Sequence, residues 1–467
     1  MTVNSKSSLR SLVEPVVWPV IQSGRAAELM ALQRQFDQSQ FWSAEALKTA
    51  QFSQLSKLVD HAVRTVPAYA QRLKAAGILS GKPLTEKLWQ RIPILTRKDV
   101  RELGTKSHSS ATPPVFGALS STSSGGSSGA PVTVRKSAVD ELFWQAINIR
   151  EELWHRDNPG GTIARLRGVP ADLPPEFASA ARASHGAVLP DWGAPANMIW
   201  KTGKLGLISP AHPVEVQAKF LQKLQPDYLY TFPSYLRPLL SHFKETGKRL
   251  TSLKSVWTAS EAVDDSLREA CSSIFGCKII QNYTSGETGY IALQCPSCNN
   301  LHVQSEIVHV EIIDQQGNPC APGEIGRVIV TPLHNYTMPL LRYEIGDEAE
   351  VGGPCVCGRG LPVLTRIVGR TEDYFTLPTG LRRRVNLNHY RLSAISAIRE
   401  FQLVQNTTTH IELKLALARP LTQAETDIIN EVLKKEAGDV FETSVTFHDA
   451  LERTAVGKLR AFISHIA

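Results

Sequence analysis

The chain has 467 residues, 42% of them hydrophobic and 20% charged, which is too long for one ordinary core and predicts roughly two to four soluble globular domains. Its 51 Lys and Arg against 44 Asp and Glu leave a net charge of +7; the basic residues are spread along the chain apart from the run Arg382–Arg384, so the excess reads as a solvated surface and a nucleic-acid partner is not expected. No stretch approaches the roughly 18 apolar residues of a membrane span, and the short apolar piece Leu12–Ile21, broken by Glu14, Pro15 and Pro19, does not read as a signal peptide, so a cytoplasmic protein is expected.

Residues 25–75 alternate apolar and charged positions at helical spacing, which predicts a helical entry region. Pro93 leads into a helix capped by Thr96. Ser109–Gly129 is poor in large apolar residues, and a helix follows over Ala138–Trp154. From about 160 the pattern alternates. Strands are expected at Thr162–Leu166, Val188–Pro190, Tyr228–Phe232, Ser255–Ala259 and Lys278–Tyr283, and helices at Glu215–Leu224, Tyr235–Thr246 and Asp264–Phe275. This β-α alternation predicts a parallel sheet flanked by helices. After Thr288 the chain is strand-rich, at Val308–Ile313, Gly326–Thr331 and Ala349–Val351, as in a β subdomain appended to the sheet. Beyond about 370, strands at Phe401–Gln405, His410–Leu417 and Thr443–Phe447 accompany a helix opened by Thr422 and running to Ala437. The expected class is therefore α/β: a large N-terminal domain, 1–369, with mixed or parallel sheets flanked by helices plus a β subdomain, and a small mobile α+β C-terminal domain, 370–467.

Two features carry chemistry on their residue types alone. The run Ser120–Pro131 is almost all Ser, Thr and Gly. Glycines let backbone N–H groups approach an anion and hydroxyls add donors, as in loops that cradle phosphates. The same composition also suits a flexible linker, and no Gly-Lys-Ser/Thr follows as a Walker loop requires. Thr133–Arg135, strand-like, and the helix behind it favour the phosphate loop. Second, seven cysteines in a chain this long are no disulfide framework. Four form short chelating pairs, Cys295-x-x-Cys298 and Cys355-x-Cys357. Two such pairs can close a tetrahedral thiolate site for Zn²⁺ with no open position, hence structural. Cys271, Cys277 and Cys320 read as ordinary thiols. Clustered Lys and Arg with interleaved aromatics are missing around the pairs, so a nucleic-acid zinc ribbon is not expected.

Ser124-Gly-Gly-Ser-Ser-Gly-Ala-Pro131 resembles the phosphate loop of the adenylate-forming enzymes, with Gly125 where that family often has a hydroxyl and Ala130 where it often has lysine. Arg135 and Lys136 are candidates to supply the missing charge. Tyr283-Thr-Ser-Gly-Glu287, Leu341-Arg-Tyr-Glu-Ile-Gly-Asp347, Gly369-Arg-Thr-Glu-Asp373 and Arg453-Thr-Ala-Val-Gly-Lys458 follow in that family's order. The resemblance implies that Ser124, Ser127, Ser128 and Gly129 hold phosphates, that Tyr283 stacks on adenine beside Ser285, and that Glu287 helps hold Mg²⁺, a hard cation suited to carboxylate oxygen. It implies that Asp347 accepts the ribose hydroxyls, that Arg370 reaches the nucleotide with Glu372 at the hinge, and that Ser260-Glu261 stands at the nucleotide edge. Lys458 would swing in to neutralise the reacting carboxylate and α-phosphate, so the catalytic candidates are Lys458, Glu287 and Arg370. Tyr230, Pro233 and Ser234 fall in the segment that lines the acid in that family.

Within the superfamily the chain is similar to the phenylacetate–CoA ligase branch, most of all to its members associated with capsular polysaccharide genes. His61-Ala-x-x-Thr-Val-Pro-Ala-Tyr69, Ile92-Pro-Ile-Leu-Thr-Arg97, Pro322-Gly-Glu-Ile-Gly-Arg327 and Met338-Pro-Leu-Leu-Arg342 mark the branch. Some branch members have histidine as one metal ligand, which makes His302 the alternate for Cys298. The resemblance implies ATP- and Mg²⁺-dependent activation of an aromatic or medium apolar carboxylic acid to acyl-AMP, then transfer to coenzyme A as a thioester. Transfer to an amine is the alternative among ligases, and a zinc-stabilised nucleotide-binding protein without catalysis is the alternative of another class. The partners expected are the small-molecule acid and the acyl acceptor. The oligomeric state is left open, with a homodimer as one option.

Overall fold

The computed structural model describes residues 9, 11–12, 19–123, 132–170, 173–370, 374–385, 392, 395, 397–453 and 459–466. The chain opens with helices α1 (Gly24–Ser39), α2 (Ala44–Thr65), α3 (Pro67–Ala75), α4 (Glu86–Gln90) and α5 (Arg97–Leu103). The break between α2 and α3 falls at Val66, whose backbone is extended because Pro67 follows it. Thr96 and Asp99 form a capping box that starts α5. Leu95, just ahead of it, bridges to Tyr343, so the entry region is pinned to the far strands. Strands β1 (Leu119–Ser123) and β2 (Thr133–Ser137) form a hairpin of their own. A second capping box, Ser137 with Asp140, begins α6 (Ala138–His155) directly after β2.

The α/β body follows as β3 (Ile163–Leu166), α7 (Pro175–Arg182), β4 (Ala187–Leu189), α8 (Ala196–Ile199), β5 (Leu205–Leu207), α9 (Val214–Leu224), β6 (Tyr228–Thr231), α10 (Pro233–Thr246), β7 (Ser255–Ala259), α11 (Asp265–Phe275) and β8 (Lys278–Ser285). Then come β9 (Gly289–Gln294), β10 (Leu301–Val303), β11 (Val308–Ile313), β12 (Ile325–Pro332), β13 (Tyr343–Val351) and β14 (Val363–Arg370). All the strands from β3 to β14 join one twelve-stranded sheet in the order β11-β12-β13-β14-β10-β9-β8-β7-β6-β3-β5-β4. The segment β5-β3-β6-β7-β8 is parallel, as the alternation predicts. The β-rich region after Thr288 continues this sheet with antiparallel pairs.

Strand rows alternate between the two faces of the parallel segment. The row Ala164, Leu229, Val256 and Ile279 packs with Leu221 of α9, Leu236, Leu239 and Phe243 of α10, and Leu267 of α11. Ile163 and Tyr228 turn the other way and share a core with Ala146, Ile147 and Ile149 of α6.

The remaining elements are β15 (Tyr374–Thr376), β16 (Arg382–Arg384), β17 (Ile398–Thr407), β18 (His410–Leu417), the helix Gln423–Ala437, here α12, β19 (Glu442–His448) and β20 (Phe462–Ser464). A four-stranded sheet, β19-β18-β17-β20, is covered by α12. Thr422 and Glu425 form the capping box of α12. The core of this layer is built from Phe375 onward: Phe375, Leu403, Leu413, Ile429, Leu433, Phe441 and Phe462.

Candidate active site

At the carboxyl ends of β6, β7 and β8 a cavity of about 750 Å³ lies between the large sheet and the C-terminal layer. Open α/β sheets bind ligands at that edge because the connections to the following helices diverge there. Ser234, Glu261, Tyr283, Ser285, Glu287, Asp347 and Arg370 line it from the large sheet, and Glu400, Leu459 and Arg460 line it from the C-terminal layer.

One corner joins three strands. The buried Tyr283 hydroxyl of β8 donates to Asp347 Oδ2 at 2.7 Å. Asp347 Oδ1 pairs with Arg370 Nε at 3.1 Å, and Arg370 also donates to the Ile345 carbonyl at 3.2 Å. Asp347 and Arg370 are direct partners across β13 and β14. Gly346 ahead of the aspartate has φ +83, a backbone region open mainly to glycine. Burial and the Asp347 carboxylate hold the Tyr283 phenol protonated, well above its ordinary range.

Around Glu287, itself buried, positive charge converges. Arg97, at the first turn of α5, lies 3.2 Å from Glu287 Oε1. Lys136, at the end of β2, donates from Nζ to the Gly286 carbonyl at 3.1 Å. Burial lowers the Lys136 pKa, while Asp140, Glu141 and Glu287 oppose that shift. Of the two candidates for the missing loop lysine, Lys136 is the one whose side chain meets this turn. Ser285 braces it: its Oγ accepts from the Thr288 amide at 3.0 Å, so that hydroxyl is engaged within the turn. Tyr283 and Ser285 sit inside β8, which pairs with β9 through Ser285 and Gly289; the sequence reading ended that strand at Tyr283.

Glu261 is held at the start of α10. Ser234 donates to it twice, from its amide to Oε2 at 2.8 Å and from Oγ to Oε1 at 3.0 Å. Ser260 ahead of it has φ +70, a left-handed conformation uncommon outside glycine. From the C-terminal layer Arg453 crosses to this corner. Its guanidinium stands 4.2 Å from the Tyr235 ring centroid, 3.5 Å from Ser234 Oγ, and pairs with Glu400. Arg453 in turn bridges to Leu459. Ser124, Ser127, Ser128, Gly129, Glu372 and Lys458 lie outside the described residues.

Pro233 and Ser234 line the cleft, whereas Tyr230 is not among the lining residues. Its ring carries Arg167 at 4.8 Å and Arg165 at 6.0 Å.

The cysteine pairs meet away from the cleft. Cys295 Sγ lies 3.7 Å and Cys298 Sγ 3.6 Å from Cys355 Sγ, and Cys357 Sγ is 3.2 Å from His302 Nε2. Zn–S bonds of about 2.3 Å in a tetrahedron put sulfurs about 3.8 Å apart, so the spacing fits Zn²⁺. Among the described residues, the ligand atoms of Cys295, His302, Cys355 and Cys357 all fall within 4.8 Å of one another. His302 Nδ1 faces the Leu361 carbonyl at 3.4 Å. A proton there leaves Nε2 as the free lone pair, the usual outer-shell arrangement for a metal-binding histidine.

Arg97 and Arg453 are named in the sequence only as the end and the start of motifs, not as site residues.

Residues 195–335 match the family of AMP-binding enzymes, and the chain shares its fold with 2-hydroxyisobutyryl-CoA ligase, solved in its postadenylation state with R3-HIB-AMP, at a TM-score of 0.69, covering 92% of each chain at 17% identity. Among curated relatives it is 26% identical over 256 residues to the phenylacetate-coenzyme A ligase of Thermus thermophilus, across 52% of this chain and 55% of that protein. It is also 26% identical over 263 residues to protein CapK of Staphylococcus aureus, across 53% and 55%. The matched stretch spans about half the length of these two relatives. No helix among the described residues is long and apolar enough to cross a membrane.

Proposed function

We propose that the chain activates a carboxylic acid with ATP and Mg²⁺ to give acyl-AMP and diphosphate, and then passes the acyl group to coenzyme A as a thioester. The observation that carries this reading is the Tyr283–Asp347–Arg370 corner, which sets an acceptor-only carboxylate in a cleft at the strand ends. In the reading, Asp347 takes the ribose hydroxyls and Tyr283 flanks the base. Glu287 holds Mg²⁺ against the phosphates. Arg97 and Lys136, beside Glu287, supply the positive charge that Ala130 does not. Ser124, Ser127, Ser128 and Gly129 hold the departing diphosphate, and Glu261 borders the nucleotide edge.

Lys458 neutralises the carboxylate and α-phosphate as they join. A cation fixed where negative charge develops lowers that barrier. Residues 370–467 act as the moving domain that carries Lys458 over the cleft, in the cytoplasm of the cell.

Carboxylate-dependent ATP–diphosphate exchange tests the reading. Lys458→Ala is expected to lower the exchange rate roughly a hundredfold or more, and an unchanged rate removes the lysine assignment. Mass spectra of products formed with coenzyme A or an amine panel present distinguish thioester from amide. Nucleotide binding without exchange for any acid leaves only a binding protein.

Zn²⁺ held by Cys295, Cys355 and Cys357, with His302 or Cys298 as the fourth ligand, is proposed as a structural ion. No position for a substrate remains in such a set.

A further inference from the structure

The face of the sheet turned toward α6 carries charge that the reaction above does not use. Arg165, on β3, is the direct partner of Tyr230 on β6. Among the described residues its side chain makes no ion pair and no hydrogen bond, and its Nε is buried without a partner. Two residues on, Arg167 lies over Tyr230 at 4.8 Å and over Phe232 at 4.4 Å, likewise with no ion pair among the described residues. The nearby carboxylates are engaged elsewhere. Glu152 pairs with Arg156. Glu151 accepts from Asn282 at 2.9 Å and from Tyr290 at 3.1 Å.

Two guanidinium groups with no carboxylate in ion-pair reach, Glu152 acting on Arg165 only from its own pair with Arg156, are under-compensated in the absence of a further anion. Their location indicates which anion. Phe232 is the cap of α10, and the next two residues, Pro233 and Ser234, line the cleft. Asn282, which lines the same cleft, holds Glu151 on the α6 side. The pair therefore stands one strand-to-helix turn from the place where the acid would lie, beyond an aromatic step made of Tyr230 and Phe232.

We propose that the acid carries a second carboxylate at the far end of an apolar stem: the stem rests on Tyr230 and Phe232, and the terminal carboxylate sits between Arg165 and Arg167. This inference rests on the acid-activating reading above. Guanidinium forks match carboxylate geometry. An acid lacking the distal charge leaves both cations under-compensated, so the site selects by what it fails to neutralise.

The test is ATP–diphosphate exchange by the full chain with matched pairs, each a dicarboxylic acid (adipic, terephthalic) and its half-amide. The diacids are expected to exceed their half-amides in kcat/KM by roughly tenfold to a hundredfold, as polar recognition in a shielded pocket gives. In Arg165→Met and Arg167→Met that ratio falls toward unity, and in Arg165→Lys it is partly kept. Both methionine variants are expected to melt at or above the temperature of the parent, because an unpaired charge has been removed. Half-amides turned over as well as diacids by the parent overturn the proposal while acid activation stands. So does a methionine variant that melts well below the parent, which makes the arginine structural. Exchange with no acid of either kind overturns both the proposal and the activity it rests on.

Discussion

A phenol that donates to a buried carboxylate fixes where that carboxylate's remaining lone pairs point. Tyr283→Phe frees Asp347 to turn toward Arg370 alone. Hydrogen bonds to charged groups contribute about 1.5–3 kcal/mol, so the KM for ATP in the exchange assay is expected to rise roughly tenfold to a hundredfold, with less effect on the KM for the acid. Glu151 gives a second residue-scale outcome. Burial raises its carboxyl from 4.5 to about 7. The folded chain keeps this proton across the window from 4.5 to about 7, where the unfolded chain has lost it. The stability it contributes is full below 4.5 and is lost as the pH rises through about 7, a loss on the order of 3 kcal/mol. Thermal melts of Glu151→Gln are expected to lack that slope. Not all of this was legible in the sequence. Glu287, Asp347 and Arg370 stand out because their motifs resemble those of the adenylate-forming enzymes and follow in that family's order. Arg97 reads as a branch marker until the Leu95–Tyr343 bridge brings it to Glu287. The want of a partner at Arg165 is a property of what surrounds β3, which spacing along the chain does not carry.

Elements divide the same way. Periodicity locates most strands and helices to within a few residues, and Thr96 and Thr422 mark helix starts that the structure keeps. Strand partners are another matter, because pairing joins segments distant in sequence. The run after Thr288 reads as an appended unit, yet β14 pairs with β10, and β9 with β8, so one sheet runs through both. The cysteine–histidine cluster lies at that junction. Cys295 follows β9, His302 lies in β10, and Cys355 and Cys357 lie in the connection from β13 to β14. The proposed Zn²⁺ would tie these segments together beside the strands that carry Asp347 and Arg370. Loss of a structural metal ranks among changes that exceed about 4 kcal/mol. Cys355→Ser is therefore expected to lower the melting midpoint by roughly 4 °C or more, and elemental analysis is expected to find zinc in the parent chain and none in the variant.

Across the whole molecule, the proposed two-step reaction would ask the C-terminal layer to take up different positions, and Arg453 is where that layer meets the large sheet. Its stacking on Tyr235 and its approach to Ser234 set it against the residue that holds Glu261. Arg453→Met is expected to slow adenylation about tenfold, equivalent to about 1.4 kcal/mol, while thioester formation from added acyl-AMP is unchanged or faster, because the layer no longer has to release this grip. Stopped-flow or quench measurement of the two half-reactions separates these effects. Slowing of both by equal factors would show that the contact serves the fold and not the turn.

The Asp347–Arg370 pair then has a mechanical reading. Arg370 is the final residue of β14, and there the chain leaves the large sheet. A ribose that draws on Asp347 competes for the carboxylate that anchors this strand end. On the proposed role of Asp347, occupancy of a sugar pocket and tension at the departure point would be geared through one carboxylate. The nucleotide would thus act on the pivot as well as on the chemistry, loosening it as the sugar seats and letting it re-engage once the pocket empties.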